Sequence, residues 1–391
     1  MEQYVALDVS LKEISVCIID SKGEVIFEGK TAAEPAMLVE PIRSKAPQVK
    51  RVGLETGATS PWLFHALAAA GLPVVCMDAR HAHAALSMRP TKSDRSDARG
   101  LADMLRMGWY REVHAKSVTS HEHRTILGAR HQLVTMRSDL DAQIRGILKT
   151  FGLILGTGNK DTLIQRAEKL AAGHPVLSGL VAKLAEVRRH VTSQIAAIDR
   201  DIRHLVHTEP TLKRLISVPG VGPITALAFL SAVDDPSRFK HARDVGPYLG
   251  LTPTRYQSGE TDRQGRISKC GDTFTRTCLY EAAHVLLTRV QRFSPLKAWG
   301  MRLAKRIGGR KARIAVARKI AVILHCIWTD GTGVLVDARE GSLTRDPPHQ
   351  LRPRRRRCPC RDGGCGRPRR GRGSTGRMPG QIAFHLAASH P

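Results

Sequence analysis

The sequence predicts an α/β domain built on a mixed sheet, then a long helical region, then a second domain that is mainly helical. Three observations support this. β-rich runs with short links crowd the beginning of the chain, apolar residues recur at three- and four-residue steps between 177 and 205, and apolar helical text resumes after Pro210. The expected divisions are 1–115, 116–208 and 209–333, with a basic, disordered tail at 334–391.

The first three runs, 4–8, 13–19 and 24–29, read as antiparallel strands, and Ser21-Lys22-Gly23 is a good hairpin turn. A helix at 34–45, a strand at 49–55, an apolar helix at 62–70 and a strand at 73–77 follow. That switch to alternating elements gives a mixed sheet flanked by helices. Residues 121 to 207 are almost wholly helical. Leu177, Leu180, Leu184, Val187, Val191, Ile195, Ile198, Ile202 and Leu205 form a coiled-coil seam with one extra step of four. Such a seam fits a helix packed within its own subunit and an inter-subunit coil equally well. Three helices, 273–292, 296–307 and 311–328, complete the second domain.

Charge narrows the function. The chain has 62 Lys+Arg against 35 Asp+Glu, a net charge of +27. Ten of those charges fall in 351–377, which holds eleven Arg and one Asp, so the body is basic without its tail. A polyanion partner, most simply nucleic acid, follows. Beyond Trp328 the Arg-rich text builds no core; it reads either as a nucleic-acid-binding arm or as an accidental extension from G/C-rich DNA. The eight cysteines have no metal-ligand or disulfide spacing in the body, which suits reduced thiols and a cytoplasmic chain. The opening MEQYVALDVS is unlike a signal peptide, and no apolar run reaches membrane-spanning length.

Chemistry concentrates in four acids. Asp94 and Asp97 stand three apart at a helix start, hence on one face. Asp8 in ALDVS and Glu55 in GLETG sit where strands should end. Four converging acids would repel unless some stay protonated or divalent cations join them. Mg²⁺ (or Mn²⁺) suits oxygen ligands, and two such ions can clamp a phosphodiester. The same acids, among Lys92, Arg95 and Arg99, also read as a solvated ion-pair face.

Two further stretches stand out. VPGVGPITAL has the pattern of a helix-hairpin-helix, with Gly220 and Gly222 either letting backbone N–H groups approach a phosphate at the next helix start or simply forming a tight helical turn with no ligand, the first favoured in so basic a chain. Residues 249–272 read as a polar, Gly-rich loop holding Ser258, Ser268 and Lys269, with Arg255, Arg263 and Arg266 reading equally as phosphate clamps and as solvated cations.

The ordered set ALDVS, LETG, KSDRSDA, PGVGPITAL, YLGLTP, YQSGE, GRISKCGD and LYEAA, spanning residues 4 to 330, resembles the IS-one-ten family of insertion-sequence transposases, with the Piv DNA invertases as relatives. The resemblance implies a RuvC-like (RNase H-like) domain whose DEDD acids match Asp8, Glu55, Asp94 and Asp97. It implies a helical middle and a C-terminal transposase domain with a nucleophilic serine, best matched by Ser258. It further implies DNA as substrate, a guide RNA from the element's own non-coding end, a homo-oligomer (dimer or tetramer) and a bacterial, nucleoid-associated setting. Glu260 and Cys270 depart from the family pattern, which often has glycine and a basic residue there. Competing readings are a metal-dependent junction-resolvase-like nuclease, an actin-like ATPase disfavoured by the lack of a later Gly-rich nucleotide loop, and a non-catalytic nucleic-acid-binding protein.

Overall fold

A computed structural model describes residues 1–87, 93–158 and 162–331. The tail, with Cys358, Cys360 and Cys365, lies outside the described residues, as does Lys92. Strands β1 (Gln3–Val9), β2 (Glu13–Asp20), β3 (Val25–Ala32), β4 (Val49–Glu55) and β5 (Val74–Met77) form one sheet in the order β3-β2-β1-β4-β5. The first three pair antiparallel, while β1–β4 and β4–β5 are parallel.

Alternation along the strands fills both faces of this sheet. Val5, Leu7, Ile14, Val16 and Ile18 turn toward Leu38 and Ile42 of α1 (Ala36–Lys45) and Leu63 and Leu67 of α2 (Ser60–Ala69). Tyr4, Ala6, Cys17 and Ile19 turn the other way, toward Ala82 of α3 (Ala79–Leu86) and Leu101 and Leu105 of α4 (Asp94–Met107). The result is a three-layer α/β/α domain. Helix α3 was not expected from sequence. It is capped by Asp78, whose side chain accepts from the Arg80 N–H, and it buries only Ala82.

After α4, Gly108 ends the helix in a left-handed turn and the chain adds an edge to β5, with Val113 N–H donating to Cys76 O. It then enters α5 (Val118–Thr150), which packs on α7 (Pro175–Thr208). The ion pairs Arg130–Asp199 and Arg188–Asp141 show that the two helices run antiparallel. Between them, α6 (Leu163–Ala171) helps close a separate core of Ile144, Leu148, Leu163, Ala167, Leu177 and Val181. The expected seam is corrected here. The seam lies on α7 and its partner, α5, is in the same chain, while the first half of the buried face is rotated to Val181, Ala185 and Arg188, leaving Leu180 and Val187 exposed. Small residues permit close helix approach, and pairing with Asp141 makes burial of Arg188 tolerable.

The last part is helical around one large core. It comprises α8 (Pro210–Leu215), α9 (Pro223–Val233), α10 (Val245–Tyr248), α11 (Thr273–Thr288), α12 (Pro295–Ile307) and α13 (Gly309–Asp330). The expected loop at 249–272 is instead largely a hairpin, β6 (Pro253–Ser258) with β7 (Thr261–Ile267). Among the described residues no helix is long and apolar enough to cross a membrane.

Asp234 fastens the α/β domain to the helical one. It accepts from Ser117 N–H at 3.1 Å and Ser117 Oγ at 2.5 Å, and its Oδ2 lies 2.6 Å from His114 Nε2. Burial opposes ionisation, yet the hydrogen bonds from Ser117, Ser120 and His114 hold the carboxyl well below the usual range. The backbone at Asp234 is left-handed, φ 67°, a conformation that costs a non-glycine residue and survives only when such contacts enforce it.

Candidate functional site

Helix α4 carries Asp97 within electrostatic reach of Glu55. Its register over the sheet depends on Gly53 in β4, where an added Cβ would collide with Leu105 Cδ1. With no side chain there, the helix settles close to β4 and β1. The side chain of Ser93 accepts from the Ser96 N–H at the helix start, and the first turn carries Asp94 and Asp97, where the helix dipole favours negative charge. Asp8 lies one residue from the end of β1, opposite Ser15, and Glu55 is the last residue of β4. The hydroxyl of Ser60, at the head of α2, donates to Glu55 O and fixes where the strand stops.

Asp8, Glu55 and Asp97 share one electrostatic neighbourhood. Burial, then the charges of Asp8 and Asp97, push the Glu55 carboxyl up to about 7. Asp8 and Glu55 line an open cleft of about 780 Å³ together with Lys12, Glu13 and the turn at Thr56-Gly57. Asp94 has a different engagement: Lys30 of β3 meets its Oδ2 at 2.9 Å. Arg95 likewise pairs with Glu28. Among the described residues no three His, Cys, Asp or Glu side chains are set to hold a metal ion as they stand. The donor chemistry still suits a hard cation. It is all carboxylate oxygen, half-buried at Asp8, Glu55 and Asp97, and burial together with the neighbouring acids raises one member, Glu55.

Ser258 is elsewhere. It ends β6 opposite Thr261, next to the two-residue turn Gly259-Glu260 in which Gly259 has φ 54°, and both strands of this hairpin are exposed on both faces. It is not among the residues lining the acid cleft. Arg255 pairs across the hairpin with Asp262, Nη2–Oδ2 at 2.7 Å. Arg263 and Arg266 are exposed on β7. Lys269 is exposed in left-handed backbone, φ 56°. Ser268, half-buried at the hairpin base, donates its N–H to Thr252 O.

The two glycines of the PGVGP turn separate. An added Cβ at Gly220 would meet Ala282 O at 2.6 Å, and its φ is 89°, so packing on α11 by itself requires a glycine here. Gly222 is the N-cap of α9 with open space beside its Cα.

Similar proteins can now be set beside this geometry. The DEDD-type IS110 transposase family matches residues 5–152, which contain all four acids. The transposase IS116/IS110/IS902 family matches residues 212–297, which contain the hairpin. This chain belongs to the IS110 (IS-one-ten) family of transposases. It is 27% identical over 336 residues to a transposase for the insertion sequence element IS1111A of Coxiella burnetii, covering 84% of this chain and 90% of that one. A transposase for the element IS1328 of Yersinia enterocolitica is 29% identical over 52% of this chain and 61% of its own length. A pilin gene-inverting protein of Moraxella bovis is 28% identical over 36% of this chain and 44% of its own. The chain is therefore an insertion-sequence transposase of the recombinase class, with DNA as its substrate.

Proposed function

We propose that this IS110-family enzyme cuts and rejoins DNA with a DEDD acid site in a RuvC-like domain and a serine nucleophile, Ser258. The observation that supports this reading is that Asp8 and Glu55 line one cleft at the ends of β1 and β4, and that burial, with the charges of Asp8 and of Asp97 on the first turn of α4, raises the Glu55 carboxyl to about 7. Together with Asp94 these residues would hold Mg²⁺ or Mn²⁺, which when bound supplies positive charge at the scissile phosphate. Asp94 would then exchange its Lys30 pair for that role.

Ser258 attacks phosphorus. A new Oγ–P bond forms, the P–O bond of the cut strand breaks, the hydroxyl proton passes to a base, and the released strand end takes up a proton. The phosphoserine keeps the bond energy, so a strand end can reverse the step and rejoin DNA without ATP. Glu260, in the turn beside the serine, is the nearest acid in sequence to serve as that base. Since Ser258 is exposed at a hairpin tip outside the acid cleft, the reaction requires the hairpin to move in, or a second copy of the chain to supply it. A homo-oligomer, dimer or tetramer, and an RNA encoded by the element that pairs with donor and target DNA complete the reading.

The deciding experiment mixes wild-type protein, Mg²⁺, labelled junction DNA and the element's flanking RNA on a denaturing gel. Wild type should form a covalent protein–DNA adduct. Ser258→Ala should bind nucleic acid and form none, and Ser268→Ala should keep some. An adduct surviving in Ser258→Ala but lost in Ser268→Ala would move the nucleophile. Cleavage with no adduct in any variant would favour a metal-dependent nuclease in which water attacks.

A further inference from the structure

The Thr56-Gly57 turn has two sides. One faces the acid cleft; the other faces a second cleft, of about 400 Å³, between the α/β domain and the helical domain. The two clefts share Thr56, Gly57 and Ser60 as a common wall. Across from that wall stand Tyr248 and Gly271-Asp272. These come from the YLGLTP and GRISKCGD stretches, neither of which the acid site uses. Lys116, His121 and Arg124 supply the cationic side.

Lys116 is the unusual member. It ends the linker before α5, and its Nζ donates to Ser231 O at 3.0 Å. The carboxylates nearby are committed to others, Asp272 to Arg124 at 2.7 Å and Asp234 to His114 and Ser117. Burial, then the charge of Arg124, pulls the lysine down to about 8. His121 is depressed in turn by burial, Lys116 and Arg124. Asp272 and Asp234 offset the lysine's shift only in part, and among the described residues no carboxylate forms an ion pair with Lys116; a cation so withdrawn from water is costly, and a bound anion removes the cost.

We propose that this cleft seats a backbone phosphodiester of the same nucleic-acid strand that crosses the acid cleft, with Lys116 as its counter-charge and Arg124 beside it. The inference rests on the nucleic-acid reading above. The shared wall supplies its geometry: a strand leaving the acids over Gly57, which has no side chain to block it, enters the cleft directly. A seat at this place would fix the strand's register, positioning the cut without touching the reacting atoms.

The test is a binding scan without divalent metal, so that nothing is cleaved. A labelled single strand carries one neutral methylphosphonate at each position in turn. In wild type, one position near the cut should cost about tenfold in affinity, as expected for loss of one charge-assisted contact. That position should become silent in Lys116→Met and regain its effect in Lys116→Arg. The salt slope of Lys116→Met should be shallower by about 0.7. Should Lys116→Met fail to fold, acetylation of Lys116 in the wild-type protein gives the same information. The unmodified strand should protect it, and the strand neutralised at that position should not. An unchanged scan in Lys116→Met, or no protection, overturns the seat while leaving the recombinase reading intact. A wild-type protein that binds no strand at all overturns both. Protection by inorganic phosphate equal to that by the strand would make the seat one for free phosphate and overturn its place on the strand path.

Discussion

Replacing Glu55 by glutamine should stabilise the folded chain at alkaline pH and remove part of its response to divalent cations. The sign follows from the proton balance. Glu55 titrates at about 7 in the fold against an ordinary 4.5, so the folded state holds its proton longer than the unfolded one. Stability is unaffected below pH 4.5, falls as pH rises through that window, and stays reduced above 7. At 1.36 kcal/mol per pH unit the full linkage is about 3 kcal/mol. The cleft is open to solvent, and screening brings the expected effect down to about 1–2 kcal/mol. Glutamine keeps the shape and removes the charge. At pH 8, Glu55→Gln should therefore melt about 2–5 °C above wild type, and at pH 4 the two should coincide. Millimolar Mg²⁺ should raise the wild-type melting temperature at pH 8 and narrow the gap, because a cation relieves the same repulsion. Calorimetry of both proteins at the two pH values, with and without Mg²⁺, measures all of this. Equal melting temperatures at pH 8 would refute the electrostatic picture, and an equal Mg²⁺ response would remove Glu55 from the metal site.

The helix acids can be separated in the same way. Asp97→Asn should lower the Glu55 pKa, seen by carboxyl NMR titration, whereas Asp94→Asn should leave it nearly unchanged, since Asp94 faces Lys30. Both should abolish strand cleavage while nucleic-acid binding stays equal or strengthens; recombination at the wild-type rate in either variant would exclude that residue from catalysis. Gly220→Ala should destabilise the helical domain by about 2 kcal/mol or more in urea unfolding, because its Cβ would strike Ala282 O in left-handed backbone. A neutral result would show that the turn is not held by α11.

The sheet was legible because it is buried on both faces and its apolar residues still leave a rhythm. Val5 and Leu7 go one way and Tyr4 and Ala6 the other, and the short links fix the hairpins. The β6–β7 hairpin was not legible for the opposite reason. With neither face buried, its residues carry no alternation, and it is held by backbone pairing and Arg255–Asp262. Helix α3 escaped because a helix that buries a single alanine leaves almost no apolar stripe. In α7, leucine and valine looked like the seam, but the chain buried Ala185 and a paired Arg188. Hydrophobicity alone does not report when a small residue admits a neighbouring helix. At the site, strand ends and the three-residue step pointed to the four acids. Which of them meet depends on how closely α4 docks, and that is set by the side-chain-free Gly53, whose meaning appears only once Leu105 is seen above it.

The antiparallel pair α5 and α7 has a mechanical consequence. At 33 and 34 residues each helix is about 50 Å long. The pairs Arg130–Asp199 and Asp141–Arg188 are spaced equally along both, so a slip of one turn would break both together. The pair is a strut with a locked gauge. The core at its far end, around Leu148 and Leu163, is separate from the one at its base, so the strut can be cut without emptying either. Eleven residues make very nearly three turns. Excising eleven from each helix would draw the far end in by about 16 Å with little rotation. Length thereby becomes a dial: a series of such deletions would turn any dependence of recombination on the span of this arm into a measured curve.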